Sequence, residues 1–173
     1  ASSASEFMWV RMPRVMKMLA EATKPLADRR GSVVTLHLPA EPAEAEVDER
    51  RVERILRNLV ANAVRYTRSG GVVIGARRRG DHVVVEVVDT GAGIAPEHRA
   101  RIFEEFFQVR GAGTTSPNGR GMGLGLAIVR RLARLLGHEV TLATRPGCGS
   151  RFSVIAPRVT GVRTPLHREL HAA

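Results

Sequence analysis

The stretch Arg54–Thr67, R-I-L-R-N-L-V-A-N-A-V-R-Y-T, constrains this chain more than any other. Together with Val52, the apolar residues Ile55, Leu56, Leu59, Val60, Ala63 and Val64 recur at helical spacing. That spacing predicts an amphipathic helix laid on a core. Asn58, Asn62 and Arg65 fall together beside the apolar stripe, roughly one turn apart. Asparagine is a middling helix former, so two of them in mid-helix at i and i+4 need a reason. Side-chain amide oxygens can ligate a hard cation such as Mg²⁺, and an arginine beside them can hold a phosphate. Alone, a polar helix flank is ordinarily just solvated, and the rest of the chain has to separate the two readings.

Around this helix the sequence sets out one α/β domain over residues 8–157. Val15, Met18, Leu19, Ala22 and Leu26 predict a first helix from Pro13 to Arg30, which Pro25 is placed to kink or shorten and Gly31 to stop. Ser32–Leu38 alternates as a strand, and Pro39–Glu46 reads as a Pro/Glu/Ala loop. Asp48 is placed to cap the central helix. The β-branched runs Val72–Arg79 and His82–Val88 flank Gly80-Asp81 as a hairpin. A short helix opens at Pro96. Residues 108–120 lack apolar periodicity, and a loop of that length inside a compact domain is usually functional or mobile. Leu126–Leu136 is helical and Gly137 caps it. His138–Thr144 and Ser150–Ala156 form a second hairpin about Arg145–Gly149. The expected fold is a two-layer α/β sandwich, a mixed and mostly antiparallel sheet of about five strands with about three helices on one face. Residues 1–7 read as a disordered end, and residues 158–173 as a loose tail or linker.

Composition excludes several functions. No apolar run approaches the roughly 20 residues that span a membrane. The single cysteine, Cys148, excludes an internal disulfide framework and a cysteine-built metal site. The formal net charge is +10, but the arginines are dispersed and aromatics make up only 4% of the chain. There is no platform for stacking bases, so no nucleic-acid partner is expected.

Two glycine-rich elements flank the 108–120 loop. Asp89-x-Gly91-x-Gly93 ends a strand, where a carboxylate can accept a hydrogen bond from an exocyclic amine and glycines let the backbone approach a flat ring. Gly121-x-Gly123-x-Gly125 opens a helix whose bare N–H groups and dipole favour phosphate. No Gly-Lys-Ser/Thr follows, which rules out a P-loop, and the element does not lie between two parallel strands as a dinucleotide fingerprint would.

In this order the motifs resemble the ATP-binding catalytic domain of sensor histidine kinases, within the GHKL superfamily and its Bergerat fold. The resemblance rests on an N box at Asn58–Tyr66, a first glycine box at Asp89–Ile94, an F box at Ile102–Phe107 and a second glycine box at Gly121–Leu126, and it runs from about Met12 to Pro157. It implies ATP and Mg²⁺ as cofactors. Asn62 would ligate the metal with Asn58 as helper or second ligand, Arg65 would meet a phosphate, and Tyr66 would stack over the adenine. Asp89 would take the adenine amino group, Gly91 and Gly93 would shape the pocket, and Ile94 would line it. Gly121, Gly123, Leu124, Gly125 and Leu126 would hold the phosphates at the helix start. The 108–120 segment would be the ATP lid, with Arg110 or Arg120 reaching the terminal phosphate, and Phe103, Phe106 and Phe107 would hinge that lid on the core.

The resemblance also implies partners: a dimerisation and histidine-phosphotransfer domain of the same kinase, and a downstream response regulator. It implies a cytoplasmic location, as part of a possibly membrane-anchored bacterial sensor. The family's acceptor box, H-E/D-x-x-x-P, has no counterpart before the N box. His138-Glu139 follows the second glycine box, and His37, His82, His98, His167 and His171 are not in an acceptor context. The isolated chain is therefore expected to be a monomer that binds ATP without phosphorylating itself. A conformational ATPase of the same superfamily would need a catalytic glutamate where Asn58 stands, and an amide cannot be a general base. A degenerate docking module would not need Asn62, Asp89 and the glycines.

Overall fold

The computed structural model describes residues 8–38, 44–109 and 122–157. The readings of residues 1–7 and 158–173, most of the 108–120 loop, and Arg110, Arg120 and Gly121 lie outside the described residues.

The elements follow in the order β1 (Met8–Arg11), α1 (Met12–Arg29), β2 (Ser32–His37), β3 (Glu44–Val47), α2 (Glu49–Tyr66), β4 (Gly70–Arg79), β5 (His82–Asp89), α3 (Gly125–Leu136), β6 (Glu139–Arg145) and β7 (Gly149–Pro157). A 3-10 turn over Pro96–His98 stands where a short helix is predicted. Five strands form the main sheet in the order β2-β4-β5-β7-β6. Only β2–β4 is parallel, because α2 carries the chain back across the layer between them; the other pairs are antiparallel.

Two details differ from the sequence reading. The tail of the supposed Pro39–Glu46 loop is strand, since Glu44–Val47 pairs antiparallel with Met8–Arg11 in a separate two-stranded sheet. Pairing with a distant segment supplies the order that E-A-E-V lacks by itself. Pro25 does not shorten α1, which runs on to Arg29. The carbonyl that this proline leaves unbonded belongs to Glu21, which is exposed, so water can satisfy it.

The seven apolar residues of the α2 stripe are all buried. Asp48 caps that helix, its Oδ1 accepting the Arg51 N–H at 3.1 Å. At the other end the Arg30 guanidinium donates to the Arg65 carbonyl at 2.7 Å. Beneath the helices, the buried inward face of the sheet carries Val72 and Ile74 of β4, Val83, Val85 and Val87 of β5, and Phe152, Val154 and Ala156 of β7. Period-two alternation puts these residues on one side, and the register pairs Val87 with both Ile74 and Phe152.

Candidate functional site

The alternation that buries Val83, Val85 and Val87 carries one step further, to Asp89, at the open end of the sheet. Its cross-strand partners are Val72 on one side and Ser150 on the other, and Ser150 in turn pairs with Thr144. Thr144, Ser150 and Asp89 thus form one polar row that closes an apolar face. Asp89 is only 7% exposed. Its Oδ1 accepts the Gly91 N–H at 2.8 Å. Burial pushes the Asp89 carboxyl above the usual carboxylate range, and the N–H groups of Gly91 and Ser150 pull it partly back.

The glycines beside it permit close backbone contacts. A Cβ on Gly91 would stand 2.5 Å from the Tyr66 carbonyl oxygen. Gly93, at φ +66°, lies against the Arg145 carbonyl with no room for a side chain. The β6–β7 turn is docked here, with the Gly147 N–H donating to the Ala92 carbonyl at 2.7 Å.

The opposite end is made by α2 and the start of α3. No side chain caps α3 at Leu124, so the first N–H groups of the helix are left for water or a ligand. A Cβ on Gly125 would meet Asn58 Oδ1 at 3.2 Å and Asn62 Nδ2 at 3.7 Å. The missing side chain therefore keeps open a cradle between the helix start and the two asparagines. Asn58 Nδ2 donates to the Arg54 carbonyl at 2.8 Å, which leaves its oxygen turned toward Gly125. Two amide side chains one turn apart beside uncapped N–H groups fit a hard cation held against phosphate.

A cavity of about 520 Å³ joins the two ends. Of the residues singled out in the sequence, Asn58, Asn62, Arg65, Tyr66, Asp89, Gly93, Ile94, Gly123, Leu124, Gly125 and Leu126 line it. Gly91 lies just behind, against Tyr66. Ile102 and Phe107 of the F box also line the cavity. Phe103 packs edge-on against Phe152, and Arg101 lies 4.4 Å above the Phe107 ring. Phe106, expected to act with Phe103 and Phe107, is not packed against the core as those two are. It is 70% exposed and has φ +63°. Its N–H donates to the Gly123 carbonyl at 3.0 Å, and this left-handed turn against Gly123 throws the ring outward.

The chain's residues 47–160 match the family described as histidine kinase-, DNA gyrase B- and HSP90-like ATPases. The chain belongs to that family. Within it, the chain is homologous to sensor histidine kinases. It is 37% identical over 119 residues to the sensor histidine kinase RcsC of Escherichia coli K12, which covers 69% of this chain but only 12% of RcsC. A crystal structure of full-length ShkA in complex with AMPPNP superposes with a TM-score of 0.78 at 34% identity, covering 93% of this chain and 33% of ShkA. The catalytic domain of histidine kinase ThkA shares the fold, with a TM-score of 0.75 at 24% identity over 88% of this chain and 96% of that domain. This chain thus corresponds to a catalytic-type domain of the family and spans a small part of its longer relatives. Among the described residues, no helix is long and apolar enough to cross a membrane.

Sequence reasoning missed one wall of this family's cavity. Pro146, Ser150 and Phe152, from the β6–β7 turn and β7, line it opposite α2. The sequence marks Arg145–Gly149 only as the turn of a hairpin, although its glycines are the same kind of signal as those at Asp89–Gly93.

Proposed function

We propose that this domain binds ATP with Mg²⁺ in the cavity and donates the γ-phosphoryl group to a histidine nitrogen on a dimerisation and phosphotransfer domain of its parent kinase, which then supplies a response regulator. The observation that carries this reading is the pairing of a buried acceptor, Asp89, at one end of the cavity with the asparagine-lined start of α3 at the other. The AMPPNP in the ShkA complex supports it.

In this reading Asp89 accepts the adenine amino group, Tyr66 covers the ring, and Ile94 packs on its edge. Gly91 and Gly93 hold the wall of the base site, and Gly121 to Leu126 present N–H groups to the phosphates. Arg65 offsets phosphate charge. Asn62 and Asn58 would hold Mg²⁺, which would supply positive charge against the phosphates. The chain's own contribution to catalysis is positioning and electrostatic complementarity, the main means available in phosphoryl transfer. The Asn58 amide, bonded to the Arg54 carbonyl, cannot serve as the general base of a conformational ATPase.

The test is calorimetric titration of Mg-ATP into the wild type and into Asp89→Asn. Binding that is strongly weakened in the variant supports the reading. No binding by a folded wild type overturns it in favour of a docking module.

A further inference from the structure

The Thr144 hydroxyl has three partners. It lies 3.0 Å from the Ile94 N–H, 2.9 Å from the Gly149 carbonyl and 2.9 Å from Ser150 Oγ. A hydroxyl has one hydrogen and two lone pairs, so this inventory fixes every direction. The Ile94 N–H can only donate, and the Gly149 carbonyl can only accept. Thr144 therefore spends its hydrogen on Gly149. In the remaining contact Ser150 must be the donor, and its hydrogen is used on Thr144.

The consequence falls on the cavity. Ser150 lines it beside Asp89, and with its hydrogen committed it can offer only lone pairs. The Asp89 carboxylate, which receives N–H groups from Gly91 and Ser150, likewise accepts only. This corner of the cavity holds two adjoining acceptors. The strand that carries Thr144 is clamped in place, because the Arg99 guanidinium donates to the Thr144 carbonyl at 3.1 Å and to the Ile94 carbonyl at 3.4 Å.

We propose that Thr144 is a specificity-determining positioning residue: by taking the Ser150 hydrogen it makes the base end of the cavity an all-acceptor corner, which admits a purine bearing a 6-amino group and rejects one bearing a 6-oxo group. This rests on the reading of the cavity as a purine nucleotide site. An amino group supplies hydrogens to both acceptors, whereas a 6-oxo purine brings a single proton, on N1, and leaves its 6-oxo oxygen facing a lone-pair donor with no proton between them. Without the Thr144 hydroxyl, Ser150 is released to turn and donate, and the penalty on a 6-oxo purine falls.

The experiment is calorimetric titration of Mg-ATP and Mg-ITP into the wild type, Thr144→Val, Thr144→Ser and Ser150→Ala, with the melting temperature of each protein. The wild type is expected to prefer ATP. Thr144→Val should reduce the ATP-to-ITP affinity ratio about tenfold, and Thr144→Ser should restore it. A role confined to tying the β6–β7 turn to the sheet would lower the melting temperature and weaken both nucleotides equally, and that result overturns the proposal. If Thr144→Val does not fold, Ser150→Ala carries the test: it removes the second acceptor and should also narrow the ratio, and an unchanged ratio overturns the proposal. A wild type that binds ATP and ITP alike overturns it while leaving the ATP site standing. A folded wild type that binds neither overturns the ATP-site reading, and this proposal with it.

Discussion

The two ends of the cavity are built on different principles. At the end proposed for the base the polar groups belong to a β-sheet: Asp89, Ser150 and Thr144 share one transverse row, and their positions are set by the same ladder that holds the core. At the end proposed for phosphate, the space comes from what is missing. Leu124 makes no side-chain cap, and Gly125 leaves a gap in front of Asn58 and Asn62. The first is a fixed template, suited to reading a flat edge. The second is an open polar cradle, suited to groups that arrive with their own charge and change shape during reaction.

Glycine substitutions should separate the ends most sharply. Gly93→Ala would place a methyl against the Arg145 backbone at a positive φ, and neither partner can yield. A loss of about 3 kcal/mol in denaturant unfolding is expected. Gly125→Ala meets only the ends of the Asn58 and Asn62 side chains, and alanine favours the helix, so stability should change by less than about 1 kcal/mol. Equal losses in the two proteins would erase the distinction.

Ligand binding should divide along the same line. Asp89→Asn is expected to weaken nucleotide roughly ten- to a hundredfold, with or without Mg²⁺, since a hydrogen bond to a charged acceptor is lost. Asn62→Ala should cost about tenfold in Mg²⁺ and little in EDTA. Calorimetry in the two buffers reads both. A magnesium-dependent loss in Asp89→Asn, or a magnesium-independent one in Asn62→Ala, would blur the two ends into a single site.

The smallest effect concerns stability and pH. Burial raises the Asp89 carboxyl above its unfolded value. The folded protein therefore holds that proton more tightly than the unfolded chain, and stability falls as pH rises from the ordinary carboxylate value through the raised one. Asp89→Asn removes this penalty. Without nucleotide, its melting temperature should exceed that of the wild type by a few degrees at neutral pH, and the gap should close in acid. A gap that persists unchanged in acid would show that the buried charge is not its source.

Much of this was legible in the chain itself. The α2 stripe, the Asp48 cap, both hairpins and the two glycine elements follow from periodicity and turn chemistry, which are local. The inward direction of Asp89 was also available, since Val83, Val85 and Val87 set the alternation it continues. The strand Glu44–Val47 was not legible, because its order comes from pairing with Met8–Arg11. Nor was the row of Thr144, Ser150 and Asp89, which exists only once three separate strands fall into register. The exposure of Phe106 was not legible either, because the contact of its backbone with Gly123 decides where the ring goes.

Because Asp89 completes the alternation of β5, the site inherits the parity of the strand. Residue 89 faces the cavity for the same reason that residues 83, 85 and 87 face the helices. A chain of this design can exchange the side chain at residue 89 without disturbing the strand's alternation. It cannot gain or lose a single residue between Val83 and Asp89 without turning the carboxylate to the far side of the sheet and the valines into water. Point substitution can change the chemistry of that corner of the cavity, whereas an insertion or deletion within that strand would disrupt the packing and the site in one step.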